Sequence, residues 1–403
     1  MNKNYLLRTL ITGLIIIAVS TVLYLYTAGY RLQKEEEEPV DFRVTGMISA
    51  KSIPESASVY LDDELVTATN DSIPGISPGK YNLRIEKSGF TTWEKEIEIF
   101  PELVTDITAV LISQTPRIEP LTNTGARDPV MSPSLSALAY FSKDEETPGV
   151  WVMPLTYNRL NFFSSAPEVV LEDTNYVKFS EGLDIEWAPD EKELLVQQAE
   201  NSYYLVNLVD DSAMSISNPE EIREEWNEDL TGKREEFMSK AETKVDITDE
   251  MKKIALDAET SWAPDGKKFL YTQTNDEGML EYRVFNMERP LPVGEKVENI
   301  VMTTNPNEER PKFSWYSDSF HLIVLDGGPK TPSEDLTAQA PANTNTGGEE
   351  AGEEALETKP VGEIGTISLI RIDGSNKTEI YNNIIYSDRI FSSPGGDKIV
   401  LLT

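Results

Sequence analysis

One short pattern, Ser261-Trp262-Ala263-Pro264-Asp265-Gly266-Lys267-Lys268-Phe269-Leu270-Tyr271, constrains the fold of this chain more than any other stretch. Trp262 closes one strand, and Pro264 stops the ladder because it has no N–H to donate. Asp265-Gly266 supplies turn chemistry, a carboxylate that accepts from the local backbone and a residue free to take positive φ. Phe269-Leu270-Tyr271 starts the returning strand. Looser copies stand at Trp187-Ala188-Pro189-Asp190, Trp315-Tyr316-Ser317-Asp318, Ser132-Pro133-Ser134-Leu135 and Ser393-Pro394-Gly395-Gly396-Asp397. A hairpin that recurs in this way predicts a radial β-repeat, whose units bury their faces only by stacking on one another.

Further strands follow the copies: Ala137–Phe141 then Val150–Leu155, Glu193–Gln197 then Tyr203–Leu208, Phe269–Thr272 then Glu281–Asn286, and His321–Leu325 then Thr366–Ile372. The spacing is uneven, with long gaps after Pro189 and after Ser317. Without an insertion in each, the period approaches the roughly 40 to 55 residues of a four-stranded blade. Five copies predict about five blades. Only two strands of the last blade are present, and the early strand Arg117-Ile118-Glu119-Pro120-Leu121-Thr122 is expected to complete that blade and close the ring.

The copies resemble the TolB-type propeller repeat, related to WD-type repeats, whose core reads Trp-Ser-Pro-Asp-Gly-Lys. The residues that carry the resemblance are Trp187, Pro189, Asp190, Trp262, Pro264, Asp265, Gly266, Trp315 and Asp318. It covers most of residues 117–403 and implies a β-propeller.

Residues 42–113 read differently, as short alternating strands at Val44–Ala50, Ser58–Leu61, Tyr81–Lys87, Glu94–Phe100 and Leu103–Ile112. Asp62-Asp63 and Pro78-Gly79 mark tight turns between them, which predicts a small β-sandwich. This stretch resembles the PEGA domain. Pro54-Glu55-Ser56-Ala57 matches the name-giving signature with Ser for Gly, and Ser77-Pro78-Gly79-Lys80-Tyr81 and Ser88-Gly89-Phe90 follow in the family's order. The resemblance implies a surface or envelope module without catalysis. Ser56 departs from the signature at a turn position where Ser takes positive φ poorly.

The N-terminus is the exception to an otherwise polar chain of mean hydropathy −0.37. Leu10 to Ala28 is an apolar run long enough to span a bilayer as a helix. Tyr24, Tyr26 and Tyr30 sit at its outer end, where amphipathic rings favour the interface. A cleaved signal peptide is the alternative, given the small residues Thr27-Ala28-Gly29. Read as an anchor, residues 1–30 hold the chain in the membrane, residues 31–41 form a charged linker, and the body stands outside the cytoplasm.

The first insertion, residues 217–259, carries helix starts at Asn218-Pro219 and Thr248-Asp249. Ile222, Trp226 and Leu230 share a face, as do Phe237 and Ala241. Rim packing and a partner-docking hairpin are the two readings of it. The second insertion, 329–362, is rich in Pro, Ala, Thr, Gly and Glu, and predicts a disordered loop inside one blade.

Counting closes most routes to chemistry. Cysteine is absent, which excludes disulfides, thiolate metal sites and Cys nucleophiles, and His321 is the sole histidine. A net charge of −34 repels nucleic acid. Gly75-Ile76-Ser77-Pro78-Gly79 spells a nucleophile elbow, but a strand rather than a helix is expected after it. No complete Ca²⁺ loop, dinucleotide fingerprint or P-loop occurs. The sequence therefore predicts an all-β protein: an N-terminal transmembrane helix, a PEGA-like sandwich, and a propeller with a helical insertion. Its expected role is non-catalytic binding or scaffolding at the cell envelope, with no catalytic, cofactor or metal residue assigned. Its expected partners are the membrane and a protein held on the propeller face or the helical insertion. The alternative is an envelope glycan- or peptide-processing hydrolase using acidic residues at the propeller mouth.

Overall fold

Period-two alternation of apolar residues turns most of the body into short strands. The computed structural model describes residues 3–27, 30–33, 41–122, 125–155, 166–242, 247–288, 291, 295–327 and 362–402. It divides into two compact units: residues 1–117 with 286–297, and residues 118–285 with 298–403.

In the first unit, helix α1 (Lys3–Thr27) precedes a hairpin of β1 (Tyr30–Gln33) and β2 (Asp41–Val44). Seven strands follow: β3 (Gly46–Ile53), β4 (Ser58–Leu61), β5 (Glu64–Ala68), β6 (Asp71–Ile76), β7 (Gly79–Glu86), β8 (Trp93–Ile99) and β9 (Val104–Val110). They form two sheets, ordered β6-β3-β9 and β5-β4-β7-β8, with β3 and β9 parallel. Ile48, Val59, Leu83, Ile85, Trp93, Ile97 and Ile107 fill one core between them, as a sandwich requires. Asp62 and Asp63 both take positive φ, 48° and 67°, and close the β4–β5 hairpin as a two-residue turn. Strands β5 and β6 go beyond the sequence expectation. Almost every side chain of β5 is exposed, which hides its alternation. Pro74 and Gly75 in β6 read as breakers, yet β6 is an edge strand, where a missing donor is tolerated.

Among the described residues no helix is long and apolar enough to cross a membrane. The expected span was Leu10 to Ala28. Side chains of α1 are described from Ile11 to Tyr24, short of the about 20 residues a span needs, and Ala28 lies outside the described residues.

The second unit is built of repeated sheets. Blade 1 is β10 (Arg127–Met131), β11 (Ala137–Ser142), β12 (Gly149–Pro154) and β13 (Glu168–Glu172). Blade 2 is β14 (Asp184–Trp187), β15 (Glu193–Ala199), β16 (Ser202–Asn207) and β17 (Ser212–Ile216). Helices α2 (Pro219–Glu242) and α3 (Asp249–Leu256) come next. Blade 3 is β18 (Ser261–Trp262), β19 (Lys268–Thr274), β20 (Leu280–Asn286) and β21 (Glu298–Thr304). Blade 4 is β22 (Lys312–Trp315), β23 (His321–Gly327), β24 (Glu363–Arg371) and β25 (Thr378–Ile385). Blade 5 has β26 (Phe391–Ser392) and β27 (Ile399–Val400). The second insertion expected at 329–362 lies outside the described residues except for Gly362.

All five copies of the motif fold alike, even where the sequence has drifted. In each, the residue before the proline position donates its N–H to the carbonyl five residues on: Ser132 to Ala137, Ala188 to Glu193, Ala263 to Lys268, Tyr316 to His321 and Ser393 to Lys398, at 2.9–3.0 Å. The residue three further on then takes the left-handed conformation: Leu135, Glu191, Gly266, Ser319 and Gly396, with φ between 59° and 66°. Side chains around the turn vary with the copy. Asp190, Asp265 and Asp318 each accept the backbone N–H two residues on, at 2.8–3.0 Å. Blades 1 and 5 lack an Asp at that position, and Ser132 and Ser393 hydroxyls accept from Ala137 and Lys398 N–H at 3.1 and 3.2 Å instead.

Neighbouring blades share cores. Phe141, Val150, Ile185, Leu194 and Val196 join blades 1 and 2, and Leu270, Tyr282, Trp315, Leu322 and Ile370 join blades 3 and 4. Phe391 and Val400 pack on Met131, Leu138, Tyr140 and Met153, which brings blade 5 against blade 1. The segment Arg117–Thr122, expected to complete blade 5, forms no strand. Pro120 removes one of its donors, and Pro116 stands just before it. It still lies near that blade, with Glu119 Oε2 3.9 Å from Lys398 Nζ.

Candidate docking surfaces of the propeller

The predicted tryptophans tie blade to blade. The Trp187 indole donates to Val130 O of blade 1 at 3.0 Å, and the Trp315 indole to Ser261 O of blade 3 at 3.1 Å. Trp262 should reach blade 2 by the same rule. It donates instead to Ala255 O of α3, at 2.8 Å. The helical insertion thus packs on both blade 2 and blade 3. Pro219 begins α2, with Asn218 Nδ2 donating to the Glu221 carboxylate at 3.5 Å, and Thr248 caps α3 by accepting from Met251 N–H at 3.2 Å, as its type predicts. Met238, Ile247 and Ala255 are buried there. Phe237 is exposed, and its ring lies over Gly266.

The turn ends of the blades are knit together in the same circle. Ser134 N–H and Oγ donate to the Glu191 carboxylate, the hydroxyl at 2.8 Å, and Asp265 N–H donates to Ser319 Oγ at 3.2 Å. Ser317 N–H donates to Ser392 Oγ at 3.2 Å, and Tyr316 Oη donates to Gly396 O. At the helical junction Lys233 Nζ takes this role on Pro189 O at 3.1 Å, and Arg223 clasps Glu186 through Nε and Nη2. Beside Glu186 and Glu220, the Arg223 guanidinium is held still more firmly in its charged form.

Two motif aspartates anchor buried partners. Lys268, fully buried, places Nζ 2.7 Å from Asp265 Oδ2 and 4.1 Å from the centre of the Phe320 ring. His321, also buried, holds Nδ1 2.7 Å from Asp318 Oδ2. Burial pushes the Asp318 carboxyl up, but the His321 ring and the N–H groups of Phe320 and His321 outweigh it, so it sits below the usual carboxylate range. This His–Asp pair resembles two parts of a hydrolytic triad. No hydroxyl bonds to the other ring nitrogen among the described residues, and the nearby Ser319 Oγ is engaged by Asp265. It braces a turn.

The opposite end, where the inner strands begin, gathers residues that the motif reading missed. Arg127 Nη2 donates to Ser180 O and Gly182 O at 3.1 and 2.6 Å, and Nη1 lies 2.5 Å from Asp128. Arg389 Nη2 reaches Asp184 at 3.3 Å, and Lys312 pairs with Asp388. Arg127, Asp184, Lys312 and Arg389 stand five or six residues before the proline position of their copies, so reading each repeat backwards finds them. The carboxylates of Asp128, Asp184 and Asp388 at this end are each matched with a cation. Among the described residues no group of three or more carboxylates and histidines is placed to hold a metal ion.

In the first unit the signature residues build a loop. Pro54 follows a cis peptide bond, and its carbonyl accepts from Ser52 Oγ at 2.6 Å. Glu55 O accepts from Lys87 Nζ. Ser56 takes φ 64°, the turn conformation in which Ser was expected to be poor. Ala57, buried, donates its N–H to Thr69 Oγ1 at 2.9 Å, and that hydroxyl lies 2.6 Å from Ser52 Oγ. Pro78 and Gly79 lead into β7, where Tyr81 Oη donates to Ser77 O at 2.8 Å. Gly75-Ile76-Ser77-Pro78-Gly79 joins two strands, β6 and β7, so the elbow reading fails for want of a helix.

Residues 45–114 match the PEGA domain. Among solved structures, TolB from Acinetobacter baumannii is 12% identical, covering 75% of this chain and 61% of that one, with a TM-score of 0.28. The chain thus spans about six tenths of that relative's length. The putative TolB from Agrobacterium tumefaciens is 10% identical, covering 87% and 99%, with a TM-score of 0.23. These overlaps are low, and the blade assignment above rests on the chain's own sheets. No curated protein matches the chain.

Proposed function

We propose that the chain is a membrane-anchored, extracytoplasmic scaffold that presents its propeller for protein docking and performs no catalysis. The observation that carries this is the surface of α1. Leu14, Ile15, Ile16 and Ile17 point in four directions around the helix and are 58–66% exposed, so among the described residues none covers a face of this stretch. Leaving such a surface in water costs about 25 cal/mol for each Å². With the apolar sequence from Leu10 to Ala28, the bilayer is the natural solvent for it. The PEGA-like module supports an envelope setting. The propeller suits docking because its turns are already bonded to one another, which limits the ordering cost of binding. The paired carboxylates at the inner-strand entrance favour binding over hydrolysis, since a hydrolase needs one carboxyl free to hold a proton.

Membrane flotation and alkaline extraction test the anchor. The full chain should float with membranes and resist extraction, and a chain beginning at residue 31 should remain soluble. Protease added outside intact cells, or after opening of an outer membrane, should digest the propeller. A full chain recovered in the soluble fraction, or a propeller shielded from external protease, would overturn the reading. Because residues 217–259 are bonded to blades 2 and 3, docking on the insertion is better tested by charge reversal at exposed Glu224, Glu228 and Glu235, which leaves those bonds in place.

A further inference from the structure

The sandwich of the first unit has two unlike ends. The chain enters at one of them, where Val44 and Thr45 lead into β3, and leaves at the other after β9. The β8–β9 turn, Phe100-Pro101-Glu102-Leu103, belongs to the entry end. Its backbone is tied to the entering chain: Thr45 O accepts from Glu102 N–H at 3.1 Å, and Met47 N–H donates to Leu103 O at 3.0 Å. Phe100 is 36% exposed, and Leu103 and Val104 are each 49% exposed. The outward face of the sheet continues this surface, because Met47 stands opposite Pro74 of β6 on one side and Val104 of β9 on the other. Two residues further along the strands the same face turns polar, with Ser49 between Ser72 and Asp106. Apolar character is thus confined to one turn and one row, and fades over about 7 Å of strand. At the exit end the loops present Glu55, Ser56 and Ser88 instead, all exposed.

The entry end is tethered close to the end of α1. From Thr27 to Tyr30 the chain can reach at most about 11 Å. Tyr30 pairs with Val44, about 5 Å away across the β1–β2 ladder. Val44 adjoins Thr45, to which the turn is bonded. With α1 in a bilayer and Tyr30 at its surface, this short path brings the Phe100–Val104 turn within reach of the boundary between headgroups and acyl chains. An amphipathic surface sinks about 5–10 Å into that boundary. The apolar row and the polar row behind it are spaced to match.

We propose that this end of the sandwich is a bilayer-contact site: the Phe100–Val104 turn, with Met47 and Pro74, sits in the interface of the membrane that holds α1. The lipid it fits is zwitterionic. The chain carries −34, and exposed Glu102 stands in the turn itself, so an anionic surface is repelled and apolar insertion supplies the contact. The path of the chain selects lipid over a second copy. The tether brings the turn to the bilayer at any protein concentration, whereas two copies meeting here would set like charges together. Helix and turn then give the sandwich two points of attachment, which limits how far it tilts. The inference deepens the anchored reading and rests on it, and its test separates the two.

The chain has no cysteine, so a single introduced thiol reports on its own position. Leu103→Cys, Asp106→Cys and Ser88→Cys, each in the full chain and labelled with nitrobenzoxadiazole, are reconstituted into phosphatidylcholine vesicles. A doxyl-bearing lipid in these vesicles places its quencher just below the headgroups. In vesicles that float with the protein, the label at position 103 should be quenched at least about twofold, that at 106 less, and that at 88 not at all. Adding Phe100→Ser should reduce the quenching at 103 and leave flotation unchanged. Protein that floats without quenching at 103 would overturn the contact and leave the anchored scaffold standing, and protein that does not float would overturn both. A blue shift at 103 without quenching would identify a protein occupant, such as a second copy, and overturn the choice of lipid. Equal quenching at 88 would overturn the preference for this end. Stronger quenching on replacing part of the lipid with phosphatidylglycerol would overturn apolar insertion in favour of attraction by charge.

Discussion

Two junctions in the propeller do the same task with different materials. Between blades 3 and 4 the Trp315 indole bonds to Ser261 O, Ser319 Oγ accepts from Asp265 N–H, and one apolar cluster fills the space. Between blades 2 and 3 the corresponding indole, Trp262, bonds to a helix, a lysine from α2 caps the turn of blade 2, and Arg223 grips Glu186. The first junction is sheet on sheet and held by apolar burial with neutral hydrogen bonds. The second is sheet, helix, sheet, and part of its hold is ionic. A repeat can therefore change its spacer without changing its turns, provided that the spacer supplies an acceptor for the indole and a donor for the tip.

The largest difference between the junctions should appear on removal of the indoles. Trp315→Ala takes a buried ring from the shared core and should cost about 3–5 kcal/mol. Trp262→Ala should cost less, because Trp262 is half-buried, and its effect should fall on the helices. Urea unfolding gives the energies, and amide exchange locates them. Faster exchange in α3 for Trp262→Ala but not for Trp315→Ala is the expected pattern. Equal exchange in both would break the comparison.

Gly266 is the next lever, since the two junctions meet at its turn. An alanine there must hold φ near 66°, at about 1–2 kcal/mol for an L residue. Its Cβ would also lie 2.9 Å from two carbons of the Phe237 ring. Gly266→Ala should therefore destabilise by more than the backbone cost alone. Adding Phe237→Ala should recover the excess in a double-mutant cycle. A cycle that shows no coupling would mean that α2 does not bear on this turn.

These same turns show what could be read in advance. The strands were legible because their apolar runs are strong: Ala137–Ser142 and Glu193–Ala199 begin where the sequence places them. The left-handed turn position was legible only where glycine holds it, at Gly266 and Gly396. Leu135, Glu191 and Ser319 adopt it too, and their side chains carry no local sign of it, because the surrounding hydrogen bonds impose the conformation. Helix starts at Pro219 and Thr248 followed from capping chemistry, but the position of the helices did not. It is set by Glu186 and Trp262, which lie on different blades and far from α2 in sequence. Arg117–Thr122 misled for a related reason: it looks like a strand by composition, yet it forms none, and Pro120 removes one of its donors.

Acid should separate the junctions more gently. The Asp318 carboxyl is depressed in the folded protein, so its contribution is present above the unfolded value of about 3.8 and is lost as pH falls through the lower folded value. Blade 4 should loosen in that window, seen as rising exchange at Phe320 and His321, whose N–H groups it accepts. Asp318→Asn should flatten the dependence, and an unchanged acid profile in that variant would place the titration elsewhere.

The smallest effect expected is that of Arg223, and it sharpens the contrast most directly. Its guanidinium is partly exposed and shared between Glu186 and Glu220, so Arg223→Ala should cost roughly 1 kcal/mol or less. The value matters less than its response to salt. An ionic hold screened by solvent weakens as the Debye length falls from about 10 Å at 0.1 M to 3 Å at 1 M. The cost of Arg223→Ala should therefore shrink in high salt, and the cost of Trp315→Ala should not, because indole burial and a neutral hydrogen bond carry no screened charge. If both costs respond to salt alike, the junction at the helices is held by packing of α2 and α3, and the arginine is incidental to it.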